Sequence, residues 1–262
     1  MKIALGIEYD GSSYHGWQKQ PGLETVQEQV ENALSLIAAH PISVSCAGRT
    51  DTGVHALGQV IHFETESQRS DRAWLFGTNA NMANSVSIRW VKNVSDDFHA
   101  RFTAISRWYR YIIYNNPIRP AIVRNMATWH YRYLDVEKMH QAAQYLFGEH
   151  DFTSYRALGC QAKNPIRKIF KISVKRKNDL IVIDVTANAF LHHMVRNIVG
   201  VLISIGANHQ SPEWSQEVLL AKDRTLGGVT APPYGLYFME ATYPDHFEIP
   251  KQLSSPFFLD TQ

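Results

Sequence analysis

Lys2-Ile-Ala-Leu-Gly-Ile-Glu-Tyr9 puts Ile3, Leu5, Ile7 and Tyr9 at alternate positions, the period of a strand with one buried face. Asp10-Gly-Ser-Ser13 ends the run and opens a loop carrying Tyr14, His15 and Trp17. Thr25-x-x-Glu28 has the form of a capping box. Val26, Val30, Ala33, Leu34 and Ile37 then follow at helical spacing until Pro41. Ile42, Val44 and Cys46 alternate as a second strand, residues 59–65 predict a third, 70–82 a second helix, and Val86, Ile88 and Trp90 a fourth strand. The order β-α-β-β-α-β is the ferredoxin-like split unit.

The second half gives the same order. Residues 106–114 alternate as a strand, and 127–133 suggest an extra one. Asp135 caps a helix whose Val136, Met139, Ala143, Leu146 and Phe147 face inward, with Gly148 at its end. Residues 166–176 and 180–186 read as strands joined by Lys177-Asn178-Asp179, a hairpin-length turn. Helices at 191–205 and 212–222 and a strand at 236–243 complete the half. The expected fold is α/β, of α+β type: two ferredoxin-like halves, 1–103 and 104–243, with mainly antiparallel sheets. A tail, 244–262, is rich in Pro, Ser and Phe, and no role attaches to it.

With 262 residues, 45% hydrophobic and 19% charged, the chain has the make-up of a globular protein of one or two domains. Residues 1–11 lack a signal-peptide layout, and the longest apolar run, 198–207, falls short of the roughly 20 residues of a membrane span. Cys46 and Cys160 form no CxxC, which excludes a disulfide framework or a zinc-finger pattern. A cytoplasmic protein is expected. The net charge of +2 hides a segregation: between Phe98 and Leu134, and again between Phe152 and Asn178, there is no Asp or Glu. These two segments hold fourteen Lys and Arg, which leaves −12 on the rest of the chain. A segregated basic surface attracts polyanions whatever the total charge.

Gly48-Arg-Thr-Asp-Thr-Gly-Val-His55 holds one carboxylate, Asp51, between two glycines. Glycine admits tight backbone conformations and keeps bulk away, so Asp51 reads as a residue on an exposed turn that a substrate can approach. An isolated Asp near Gly also reads as an Asx-turn or a cap. Arg107-Trp-Tyr-Arg-Tyr111 sets Tyr109 and Tyr111 on one strand face among arginines, a pattern that suits stacked bases and phosphates. Tyr111 reads equally well as a core residue. In Phe190-Leu-His-His-Met-Val-Arg-Asn-Ile-Val-Gly200 the helix leaves little polar face, yet Arg196 sits in the middle of it, where it reads either as a buried charge or as a surface arginine at the helix edge. A buried arginine needs an anionic partner; Asp51 is the candidate, and the pairing would keep its carboxyl ionised. Adjacent His192 and His193 point about 100° apart and cannot chelate one ion together. No metal is inferred.

Five segments in order, Tyr9-Asp-Gly-Ser-x-Tyr-x-Gly-Trp17-Gln, Gly48–Ala56, Tyr109-Arg-Tyr111, Phe190-Leu-x-x-Met-Val-Arg196 and Pro233-Tyr-Gly-Leu236, together resemble the tRNA pseudouridine synthase A family. The resemblance runs from about Lys2 to Tyr243. It implies that Asp51 is the catalytic aspartate, that Tyr109 packs on the target base, and that Arg196 pairs with the aspartate. It further implies that Arg49 helps extrude the base and that Leu236 lines the pocket; Arg107 and Arg110 fall in the same basic strand and are assigned to substrate binding. The family isomerises uridines 38, 39 and 40 of the tRNA anticodon arm, as a homodimer without a cofactor, in a cleft between its halves. Such a reaction needs a nucleophile to carry the detached fragment and a base taken out of its stack. The residues leave open whether Asp51 attacks uracil C6 or ribose C1′.

Two other readings exist. Asp51-Thr52-Gly53 spells the aspartic-protease triplet, but that chemistry needs two carboxylates sharing a proton, and one DTG occurs. A non-catalytic RNA-binding module would use the basic segments but gain nothing from a carboxylate near phosphates.

Overall fold

The computed structural model of the chain describes residues 1–251; the expected tail lies partly outside them. In chain order the elements are β1 (Lys2–Tyr9), α1 (Val26–Ala38), β2 (Ser45–Cys46), β3 (His55–Glu64), α2 (Thr78–Ala80), β4 (Val86–Val94), β5 (Ser106–Asn115), β6 (Thr128–His130), α3 (Val136–Gln144), β7 (Gly148–Asp151), β8 (Ile166–Lys177), β9 (Leu180–Ala187), α4 (Met194–Gly206), α5 (Trp214–Ala221) and β10 (Leu236–Thr242). This is a mixed α/β fold built on mostly antiparallel strand pairs, as the sequence predicts. The chain forms two compact units, Met1–Arg107 with the return from Tyr237 onward, and Trp108–Leu236. Among the described residues no helix is long and apolar enough to cross a membrane.

In the first unit β1 is flanked by antiparallel β3 and β4, and β2 pairs with the far edge of β3. That same edge of β3 also takes β10, in parallel, through His55 and Ala56. Besides having partners on both edges, β1 is covered on both faces: Ala4 and Gly6 are buried along with Ile3, Leu5, Ile7 and Tyr9. The alternation therefore understated the burial of β1. Val26, Val30, Ala33 and Leu34 of α1 are fully buried, the two valines and the leucine each contributing about 1.5–3 kcal/mol. Thr25 is the N-cap of α1, but its hydroxyl makes no capping bond and is buried without a partner, while Glu28 faces Lys19 at 3.5 Å. The capping box does not form. Ahead of α2 the chain winds through one wide turn at Ala73–Gly77 that buries Trp74.

In the second unit the strand order is β5-β9-β8-β7, with β6 parallel to β5. β8 and β9 pair from Ile169↔Ala187 to Lys177↔Leu180 across a two-residue turn whose Asn178 has φ 54°, a conformation Asn tolerates. Ile172, Val174, Ile181, Ile183 and Val185 form the buried face, against which α3 packs with Met139, Ala142 and Ala143. Asp135 caps α3 by accepting from the Lys138 N–H at 3.1 Å. Phe147, expected inside, is 56% exposed, because α3 stops at Gln144 and the phase of the helix is lost before it. The strand read as closing the second half, β10, carries the chain back to β3 of the first unit.

Candidate active site

Asp51 sits half-buried on the loop between β2 and β3, and the Tyr9–Trp17 segment holds that loop in place. The Thr50 carbonyl accepts the Trp17 N–H at 3.0 Å, the Gly53 N–H donates to the Tyr14 carbonyl at 3.4 Å, and the loop closes on itself through Val54 N–H to the Asp51 carbonyl at 3.1 Å. Gly16, at φ +86°, lies against the same backbone: a Cβ there would stand 2.7 Å from the Thr50 oxygen and 3.1 Å from the Asp51 carbonyl carbon. Gly53 also takes a positive φ, 78°, so the glycine after Asp51 serves the turn directly. Beneath the loop the Tyr9 hydroxyl is bonded to Thr50 Oγ1 at 2.7 Å, and burial pushes the Tyr9 phenol well above its ordinary range. Gln59, fully buried in β3, accepts from the Gly48 N–H at 3.4 Å and donates to the Gly48 carbonyl at 2.6 Å.

At the other end of the loop, His55 stacks on Tyr237 with ring centroids 4.8 Å apart, and its Nδ1 lies 3.1 Å from Asp10 Oδ1. The His55 bond, aided by Ser12, holds the Asp10 carboxyl well below the usual carboxylate range. Thr50 is thus buried between two exposures, with Arg49 pointing out and Asp51 half-open. A carboxylate on a loop pinned at Gly48, Thr50 and Gly53 can meet an incoming group without first being ordered, and that lowers the entropic part of a barrier.

The remaining candidates lie in the second unit, apart from Arg107. Tyr109 and Tyr111 share one face of β5, and both are buried. Tyr109 meets Phe190 edge-on at 4.9 Å. Tyr111 is fully buried, with its hydroxyl at 2.6 Å from Thr128 Oγ1 and donating to the Pro232 carbonyl at 2.7 Å. Of its two readings the core residue is the one the packing supports. Leu236 is buried at the end of the turn Pro233–Leu236, closed by its N–H to the Pro233 carbonyl at 2.8 Å. Gly235 lies so close to β5 that a Cβ would come within 2.3 Å of the Ile112 carbonyl oxygen, and the Ile112 N–H donates to its carbonyl at 2.8 Å.

Arg196 is half-buried in the first turn of α4, not in its middle, because His193 takes φ 59° and the helix begins only at Met194. A cation at a helix N-terminus meets the positive end of the macrodipole, so Arg196 and the helix end together make a locus for an anion. Its Nε donates to the Ala231 carbonyl at 2.8 Å. The segment from Ala231 to Leu236 therefore ties Arg196, through Ala231, to the strand that carries Tyr109, through Pro232 and Gly235.

Two expected substrate contacts are engaged by the protein itself. Arg107 is buried and donates to the carbonyls of Ala47 (3.2 and 3.3 Å), Ala104 (3.0 Å) and Arg101. It braces the approach to the Asp51 loop from within. Arg110 is held bidentately by Asp184, at 2.8 and 3.1 Å, and the same carboxylate accepts from Trp108 Nε1 at 2.8 Å. Asp184 arrives on β9, adjacent to β5, so the acid that neutralises this strand lies far away in sequence. Gln59 and Gly16 escaped the sequence reading as residues of the site; the signal for Gly16 was its place inside the quoted segment Tyr9–Gln18.

The family model described as tRNA pseudouridine synthase matches residues 6–103 and 142–244, and so reaches into both units. Tyr109 falls in the stretch between the two matched blocks. The chain is 58% identical over 258 residues to "tRNA pseudouridine synthase A" of Coxiella burnetii (strain Dugway 5J108-111), covering 98% of this chain and 99% of the relative. It is 56% identical to the protein of the same name from Escherichia fergusonii, covering 98% and 96%, and 54% identical to that of Shewanella woodyi, covering 99% of both. The chain belongs to the tRNA pseudouridine synthase family.

Proposed function

We propose that the protein converts uridine to pseudouridine in tRNA, at nucleotides 38, 39 and 40 of the anticodon arm, with Asp51 as the nucleophile. The observation that carries the assignment is a half-buried aspartate on a loop pinned from below and from the side, in a chain of this family. The reaction breaks the N1–C1′ bond and forms C5–C1′; the C5 proton goes to solvent and N1 gains one, so the product is an isomer. Asp51 bonds to the nucleotide while the base turns over. Tyr109 offers its ring to the flipped-out uracil, and stacking at about 1–3 kcal/mol per base offsets much of the cost of unstacking. Arg49, exposed beside Asp51, assists extrusion; Arg196 pairs with the Asp51 carboxylate and keeps it ionised; Leu236 gives the pocket an apolar wall. The enzyme works as a homodimer in the cytoplasm and needs no cofactor.

Tritium release from tRNA labelled at uridine C5 tests the assignment. Asp51→Asn should lose release while binding tRNA as the unaltered protein does. Release at the unaltered rate would remove Asp51 from the nucleophile role.

A further inference from the structure

We infer that Asn197, Arg224 and Thr230 are positioning residues that set the direction of the Arg196 guanidinium; the inference rests on the role given to Arg196 above. Asn197 follows Arg196 in the first turn of α4 and is 2% exposed. Its Nδ2 donates to the Tyr155 carbonyl at 2.8 Å, and its Oδ1 accepts from Thr230 Oγ1 at 2.7 Å and from Arg224 Nη2 at 3.0 Å. Arg224 Nη2 also donates to Thr230 Oγ1 at 3.0 Å, which closes a triangle of three side chains. A buried polar group satisfied this way is rigid, and a half-satisfied one is costly.

The triangle fixes one loop. At its base the Asp223 N–H donates to Ser154 Oγ at 2.9 Å, and the Asp223 side chain accepts the Thr225 N–H at 2.8 Å. Farther on, the loop lies directly on α4: a Cβ at Gly200 would stand 1.8 Å from the Val229 oxygen, and one at Gly228 3.0 Å from the Gly200 carbonyl carbon. Thr230 then hands the chain to Ala231, whose N–H donates to the Arg196 carbonyl at 3.1 Å and whose carbonyl accepts from Arg196 Nε at 2.8 Å. A guanidinium is planar, so the direction of Nε–H, together with the Cδ–Nε bond, sets the plane of the fork. Residues 197, 224 and 230 thus hold a carbonyl that accepts from Arg196 Nε.

Thr230→Val keeps the shape of the side chain and removes the hydroxyl from the triangle. For tritium release we expect kcat to fall about 10- to 100-fold, the scale of a displacement of up to 1 Å at a reacting centre, with KM for tRNA changed less than about twofold. Thr230→Ser should restore kcat to within about twofold. In an Arg196→Lys background the same Thr230→Val change should cost less than about twofold, because the group it aims is gone. Unchanged kcat in Thr230→Val, or an equal loss in both backgrounds, overturns the inference. If Thr230→Val does not fold, Arg224→Lys, which keeps the charge and loses the planar donor, is read by the same criteria. Arg196→Gln with unaltered kcat would instead strike the role of Arg196 itself; inactive Arg196→Gln beside fully active Thr230→Val strikes the positioning set alone.

Discussion

Replacing Gly16 by alanine tests whether the Asp51 loop is held by packing from the side. The new Cβ would stand 2.7 Å from the Thr50 oxygen, where ordinary contact begins at 3.4 Å, so something must give by about 0.7 Å. Gly16 cannot retreat freely, because Trp17 beside it donates to that same Thr50 oxygen and Val26 N–H donates to the Gly16 carbonyl. The φ of +86° adds the left-handed penalty, roughly 1–2 kcal/mol for a residue with a Cβ. Two losses follow. Thermal unfolding should move down by about 2–4 °C per kcal/mol for a chain of this size. Release of tritium at saturating tRNA should fall about tenfold or more, since a displacement near 1 Å at a reacting group costs about 100-fold. Single-turnover release and a melting curve on the same preparation separate the two. A Gly16→Ala protein that melts lower yet turns over at the unaltered rate would refute the claim that this contact places Asp51.

Gln59→Leu should lower stability by about 1–3 kcal/mol, because it strips the buried Gly48 N–H and carbonyl of their side-chain partner; urea unfolding measures it, and no change would mean that water or a rearranged loop replaces the amide. His62 gives a pH test. Burial, helped by the neighbouring His99, lowers its pKa to about 4, and its Nδ1 accepts the Ala100 N–H at 3.2 Å. The unfolded chain therefore binds more protons than the folded one between about pH 6.5 and 4, so stability should fall as pH drops through that window. Lys2, Glu64 and His99 are the charged or titratable groups that act on it. His62→Gln should flatten the slope measured by urea unfolding across the window, and an unchanged slope would assign it to other groups.

Local pattern carried far into the fold because most elements announce themselves within a dozen residues. β1, α1, the β8–β9 hairpin and the Asp135 cap all rest on neighbours in sequence. What was illegible depended on distant partners. Thr25 spells a cap, but its hydroxyl makes no capping bond and Glu28 faces Lys19. Arg110 reads as a free charge until β9 brings Asp184 beside it. The place of Arg196 in the first turn follows from one left-handed residue, His193, which no periodicity reveals. Among the candidate residues, Asp51, Tyr109 and Arg196 stood out by residue type and motif. Gln59, Asn197 and Thr230 did not, since an amide or hydroxyl has meaning only through the group it faces.

The first unit is assembled from both ends of the chain: β3 awaits β10, which is encoded after the whole of Trp108–Leu236. On a ribosome adding about 5–20 residues per second, the His55–Ala56 end of β3, next to the Asp51 loop, stays without its parallel neighbour for roughly 10–35 seconds. The stacked pair of His55 and Tyr237 forms only then. The loop that bears the aspartate thus gains this neighbour only after residues 108–236 have been made.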